Sequence, residues 1–166
     1  MTKVSTHFLY PSALFVSAKP CLISTILGSC ISVCIYDKEL NYGGMCHYML
    51  PYWNGEGLAS PKYGNIAIEK LLEKIYSYGS KKQDVVAKVF GGGEVIDFSH
   101  PQFHIGKRNI NLAFEILNEK KIPILSSSVG GKLGRKLIFC TYTGNVKQKY
   151  VQRQVNNSHF SEVSTR

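Results

Sequence analysis

Ile31, Val33 and Ile35 alternate with Ser32, Cys34 and Tyr36, and this period of two constrains the fold more than any other stretch. It is the pattern of a β-strand with one face in a core. A polar, glycine-ended turn from Asp37 to Gly44 separates it from a second strand-like run, Met45 to Leu50, closed by Pro51. Two such runs joined by a short turn form an antiparallel hairpin. The chain reversal brings Cys30, at the start of the first strand, beside the far half of the second, around His47 to Met49. Directly opposed or diagonal positions in such a pair lie within roughly 5 to 8 Å. The spacing therefore permits a thiol–imidazole contact without any long-range assumption.

The rest of the chain alternates strand-like and helix-like segments. Phe8-Leu9-Tyr10 and Ala13 to Ala18 read as short strands separated by Pro11, with a turn at Lys19-Pro20. Cys21 to Leu27 is apolar and β-branched, a buried strand ending at Gly28. Residues 52 to 60 form a surface loop, after which Ser60-Pro61 reads as the N-cap and first residue of a helix. Ala67, Ile68, Leu71, Leu72 and Ile75 make its apolar stripe, and Gly79 ends it. Val85 to Phe90 is a strand running into Gly91-Gly92-Gly93. A second helix follows Gly106, with Ile110, Ala113, Phe114 and Leu117 on one face and Pro123 past its end. Ile124 to Ser128 reads as a strand, Val129 to Lys136 as a basic loop, and Leu137 to Tyr142 with Val146 to Val151 as a last hairpin. No repeat or linker interrupts the chain. The expectation is a single α+β domain over residues 1–151, with mixed β-sheets packed as a sandwich with flanking helices, followed by a polar, flexible tail over 152–166.

Composition narrows the function. At 166 residues, with 44% hydrophobic and 19% charged content, the chain can bury a substantial core and is not of disordered type. No apolar run approaches the roughly 20 residues that span a bilayer, and the N-terminus shows no secretory signal. Five cysteines without a compact framework fit reduced thiols, so a cytoplasmic location with no membrane insertion is expected. The net charge of +9 favours acidic partners. A nucleic-acid module would interleave aromatic residues on a basic face, and none appears, so no nucleic acid is expected among them.

Several motifs bear on chemistry. A thiolate is the reactive form of cysteine, and a neighbouring imidazole can take its proton. Gly28 and Ser29 before Cys30 permit a tight turn whose amides could face an oxyanion. The hydroxyls of Ser24 and Thr25 are the nearest candidates to orient His47. Spacing alone leaves open that Cys30 is a small buried hydrophobe and His47 a satisfied strand histidine. Gly91-Gly92-Gly93 lacks the Lys-Ser/Thr ending of a P-loop and reads as a backbone turn. His100 and His104 flank Pro101, which breaks a helical metal face. Cys30 and Cys34 lack a second ligand pair, so Cys46 and His47 do not complete a recognisable site, and no metal is expected. Lys132, Arg135 and Lys136 read as a solvated basic loop.

The string from Leu27-Gly28-Ser29-Cys30 to Tyr36-Asp37, followed by Gly43-Gly44-Met45-Cys46-His47-Tyr48-Met49-Leu50-Pro51, resembles the signature of the chemoreceptor glutamine deamidases, the CheD family. The similarity continues through Lys62-Tyr63, Gly91-Gly92-Gly93, Ile105-Gly106-Lys107-Arg108-Asn109, Gly130-Gly131 and Thr143-Gly144, covering residues from about 10 to 150. The resemblance implies an enzyme that converts selected glutamines of methyl-accepting chemotaxis receptors to glutamate through a cysteine thioester, releasing ammonia, without a cofactor. It implies Cys30 as nucleophile and His47 as general base and acid. The family's third residue, a threonine six positions before the cysteine, falls on Ser24, which keeps the hydroxyl. Asn65 stands where the family tends to carry aspartate, and His104 where it tends to carry asparagine. The resemblance also implies a CheC-type phosphatase of CheY as a partner. The alternative is a non-catalytic adaptor on the same fold that binds receptors or such a phosphatase.

Overall fold

The computed structural model describes residues 3–95, 104–153 and 160–165. Ten strands are described: β1 (Ser5–Phe8), β2 (Ala13–Ser17), β3 (Cys21–Leu27), β4 (Ile31–Asp37), β5 (Tyr42–His47), β6 (Val85–Gly91), β7 (Ile124–Val129), β8 (Gly134–Cys140), β9 (Val146–Arg153) and β10 (Phe160–Thr165). Two helices accompany them, α1 (Gly64–Ser77) and α2 (Ile105–Glu119). The strands form two five-stranded sheets, in the orders β1-β3-β8-β9-β10 and β2-β5-β4-β6-β7. Each is mixed, because β1 runs parallel to β3 and β6 parallel to β7 while the other neighbours are antiparallel. The fold is therefore the expected α+β sandwich with flanking helices.

The layers follow from two separate cores. Cys21, Ile23, Leu27, Leu137 and Phe139 of the first sheet meet Cys34, Met45 and Phe90 of the second. The opposite face of the second sheet, with Ile31, Val33, Ile35, Cys46 and Tyr48, meets Ile68, Leu71, Ile75, Leu112 and Leu117 of the helices. The second sheet is thus the middle layer. This corrects the reading of the β4 alternation as a half-buried strand, since Ser32 and Cys34 are as deeply buried as Ile31 and Val33. Small and weakly polar side chains on that face suit a narrow space between two sheets. In β5, Gly43 and Gly44 serve the same end: a Cβ on either would strike backbone of the flanking strands.

Other expectations need adjustment. Helix α1 starts three to four residues later than Ser60-Pro61, with Tyr63 in the cap position. Ser60 instead closes a turn, its carbonyl accepting the Tyr63 N–H at 3.2 Å. Arg135 does not belong to a solvated loop. It lies in β8, 3% exposed, with its guanidinium 5.2 Å over the Tyr150 ring and donating to the Gly130 carbonyl at 2.8 Å. The tail expected from residue 152 contributes structure too: β9 runs to Arg153, and β10 pairs with it antiparallel from Phe160↔Arg153. His100 lies outside the described residues; His104 approaches Glu94 at 3.8 Å. Asn65, where the resemblance implies an aspartate, accepts the Trp53 N–H at 2.9 Å and so ties the 52–60 loop to α1.

The end of β6 carries one backbone requirement that reaches the site. Gly91 has φ +110, and a Cβ there would collide with the Cys30 carbonyl oxygen. Gly79 has φ +106 but open space around it. Alanine at Gly79 should therefore lose only the strain of a left-handed backbone, roughly 1 kcal/mol. Alanine at Gly91 adds a backbone collision, and a loss of about 3 kcal/mol or more is expected, a drop of roughly 6 to 12 °C in Tm. Thermal unfolding of the two variants side by side checks this.

Candidate active site

His47 ends β5 and Cys30 precedes β4. Ile31 and Tyr48 exchange both backbone hydrogen bonds, at 3.1 and 3.0 Å, which extends the β4–β5 ladder beyond its regular strands. Continuing that register sets Ser32 opposite His47 and Cys30 opposite Met49. Cys30, Ser32 and His47 therefore share the face turned toward the first sheet, with Cys30 diagonal to His47 at a Cβ separation of roughly 7 Å. The hairpin geometry read from the sequence is present. Cys46 projects to the helical face, away from Cys34 and His47, so the cysteines and the histidine do not converge. Among the described residues no group of three His, Cys, Asp or Glu side chains gathers to hold a metal ion.

The residue that meets His47 is Thr25, not Ser24. Thr25 Oγ1 lies 2.8 Å from His47 Nδ1 and 2.7 Å from the Leu9 carbonyl oxygen. Along β3 the residues Cys21, Ile23, Thr25 and Leu27 are buried, while Ser24 and Ile26 look outward, Ile26 being 53% exposed. Successive strand residues face opposite ways, so Ser24 cannot reach the space between the sheets while its neighbour does. The connection from the hydroxyl to the cysteine is thus one residue shorter than the resemblance implies. The sequence does not decide between them: Thr25 shares its parity with Ile23 and Leu27, but Ser24 shares its own with Leu22 and Ile26, so only the burial along the strand tells which face is inward.

That pair of contacts assigns the imidazole tautomer. A threonine hydroxyl has one hydrogen, and a carbonyl can only accept. The hydrogen goes to Leu9, so the Thr25 oxygen accepts from His47 Nδ1–H. Nε2 is left with its lone pair free, buried and without a hydrogen-bond partner, as is Ser32 Oγ opposite it. An unpaired buried acceptor is costly, and this one lies on the face that also carries Cys30. Burial lowers the His47 pKa to about 4, and a backbone hydrogen bond to Leu9 offsets part of this. Burial likewise raises the Cys30 thiol to about 11, partly offset by its own backbone N–H. At neutral pH both groups are therefore uncharged.

The turn that presents Cys30 is held from below by the glycine run. Gly93 N–H donates to the Gly28 carbonyl and Gly92 N–H to the Cys30 carbonyl, both at 2.9 Å. Gly91 in turn accepts the Gly130 N–H at 2.9 Å, and Arg135 Nη1 approaches the same carbonyl at 3.4 Å. The backbone-turn reading of Gly91-Gly92-Gly93 holds, with a use the sequence did not disclose. Because a trans peptide points its N–H opposite to its C=O, fixing the Gly28 carbonyl toward the glycine run turns the Ser29 N–H away from it.

A family model described as CheD chemotactic sensory transduction matches residues 49–150. The chain is 49% identical over 143 residues to a probable chemoreceptor glutamine deamidase CheD of Trichlorobacter lovleyi, covering 86% of this chain and 89% of that protein. It is 46% identical over 147 residues to a protein of the same name from Sulfurimonas denitrificans, covering 88% and 94%. A third, from Rhodospirillum rubrum, is 37% identical over 148 residues, covering 89% and 84%. No described helix is long and apolar enough to cross a membrane. With a matching family model over more than half its length and relatives of this identity along most of it, the chain belongs to the CheD family.

Proposed function

We propose that the protein is a protein-glutamine deamidase acting on chemoreceptors, with Cys30 as nucleophile, His47 as general base and acid, and Thr25 holding His47. The observation that carries this reading is the Thr25 hydroxyl, whose single hydrogen is committed to Leu9. It leaves His47 with a free Nε2 on the face it shares with Cys30. The names of the relatives supply the substrate class. The net charge of +9 suits an acidic receptor surface and would speed encounter with it.

The reaction proceeds as acyl transfer. The Cys30 sulfur bonds to the glutamine amide carbon while its proton passes to His47 Nε2, and the carbonyl electron pair moves onto oxygen. The Cys30 N–H, on the same residue as the attacking sulfur, serves as a backbone donor to that oxyanion. Collapse breaks the carbon–nitrogen bond, and His47 returns the proton to the departing nitrogen, which leaves as ammonia. A water then gives a proton to His47, its oxygen attacks the thioester, and the Cys30 sulfur leaves and recovers the proton. The sum is glutamine plus water to glutamate plus ammonia.

Because both groups rest uncharged, proton transfer accompanies attack instead of preceding it. Alkylation of free Cys30 by iodoacetamide should therefore rise close to tenfold per pH unit from pH 7 to 10, without the plateau of a preformed thiolate–imidazolium pair. Mass spectrometry of the Cys30 peptide reads the rate.

The activity test incubates the protein with a receptor cytoplasmic fragment and follows the mass increase of glutamine becoming glutamate. Wild type should be active and Cys30→Ala inactive. Thr25→Val should lower turnover roughly 10- to 100-fold by freeing the imidazole. Ser24→Ala should be unchanged. A wild type inactive on every receptor fragment yet binding them would instead identify a non-catalytic adaptor.

The buried neutral histidine also sets an acid limit on stability. The unfolded chain takes up this proton near pH 6.5, whereas the native protein resists it until about pH 4. The associated stability is complete above pH 6.5 and is lost as pH falls toward 4, in total about 3 kcal/mol. Urea unfolding at the two pH values should show His47→Gln losing about that much less than wild type.

A further inference from the structure

Helix α2 lays an apolar stripe on the middle sheet, but one member of that stripe is Asn109, fully buried. Its side chain spends both amide hydrogens on backbone carbonyls of the site: Nδ2 donates to Ser29 O at 3.0 Å and to Met49 O at 3.0 Å. The backbone carbonyl of Asn109 accepts the Tyr48 hydroxyl at 2.5 Å. Oδ1 remains buried with no hydrogen-bond partner. A buried amide oxygen without a donor lowers stability, so packing is a poor reason for an asparagine here. A leucine or methionine would suit the stripe better.

The contact to Ser29 has a directional consequence. Three successive carbonyls of the nucleophile turn are each held: Gly28 by Gly93 N–H, Ser29 by Asn109 and Cys30 by Gly92 N–H. The Ser29 carbonyl belongs to the same peptide plane as the Cys30 N–H, and in a trans peptide the two point in opposite directions. Whatever holds the Ser29 oxygen therefore aims the Cys30 amide. The second hydrogen bond, to Met49, ties that plane to the residue opposite Cys30 in the extended ladder, two positions beyond His47.

We propose that Asn109 is a positioning residue that fixes the Ser29–Cys30 peptide plane, so that the Cys30 N–H is directed at the oxyanion formed on a carbonyl substrate. It touches neither substrate nor thiol and acts through the backbone. The inference rests on Cys30 being an acyl-accepting nucleophile, the reading given above, and is independent of which amide is the natural substrate.

Two reactions of the same sulfur separate this role from a merely structural one. Alkylation by iodoacetamide develops no oxyanion, whereas acylation by p-nitrophenyl acetate passes through one. Asn109→Ala and Asn109→Ser are compared with wild type at a temperature where circular dichroism shows all three folded. Acylation of Cys30, read as the burst of p-nitrophenolate, should fall roughly 10- to 100-fold in the alanine variant, less in the serine variant, which keeps one donor. Alkylation should stay within about threefold of wild type. On receptor fragments, kcat should fall with KM unchanged. An unchanged ratio of acylation to alkylation, whether both rates are retained or both fall together, overturns the proposal. A wild type that acylates normally but deamidates no receptor fragment overturns the deamidase reading and leaves this one standing.

Discussion

Thr25 belongs to one sheet and His47 to the other, and the hydrogen bond between them crosses an interface that is otherwise built of Cys21, Ile23, Leu27, Met45 and Phe139. In so apolar a setting a polar contact is either fully paired or a liability. Here the pairing is directional. The Leu9 carbonyl fixes the hydroxyl hydrogen, the hydroxyl fixes the Nδ1 proton, and Nε2 is left as the open acceptor. The sandwich therefore does more than surround the histidine. The packing of one sheet on the other selects its tautomer, so the chemistry proposed for this protein depends on the fold being closed.

The same burial decides the charge state of the pair. Removing the thiol and the imidazole from water disfavours both ions, raising Cys30 and lowering His47. A preformed ion pair would be a stronger nucleophile at rest but would have to be held in the dry interface without the hydrogen bonds that stabilise it. A neutral pair avoids that cost and places the demand on the moment when negative charge develops on a substrate oxygen. On the proposed mechanism the backbone of the Gly28–Cys30 turn carries that demand, and much of the surrounding structure addresses it. Gly92, Gly93 and the buried helix stripe all terminate on its carbonyls, and Arg135 and Gly130 brace the Gly91 carbonyl behind them.

How much of this was legible in the sequence depends on the kind of interaction. Period-two alternation and turn residues placed β4, β5 and the sharing of one hairpin face by Cys30 and His47, because hairpin register is a local property. The choice between Ser24 and Thr25 turned on one residue of register, and in a strand a single step exchanges the two faces. A resemblance that counts positions back from the cysteine misses that step, and β3 is apolar at both parities, so only the packing of the sheets resolves it. Arg135 read as solvated because its partners, Tyr150, Ser128 and the Gly91 and Gly130 carbonyls, come from segments whose proximity no local pattern reveals. Strand β10 was missed for a related reason: a polar Gln-, Asn- and Ser-rich segment carries no core signal, and it is held by its ladder with β9.

The free Nε2 also constrains how water enters the second half of the proposed reaction. Nε2 is buried and accepts no hydrogen bond from the protein, so its lone pair faces whatever occupies the space beside it. The proton that His47 gives to the leaving nitrogen travels along the line between Nε2 and the substrate carbon. In the proposed reaction the position that ammonia vacates suits a water, which is of similar size and hydrogen-bonding capacity. Attack by water from that position is the reverse of ammonia expulsion with oxygen in place of nitrogen, so a single geometry serves both half-reactions.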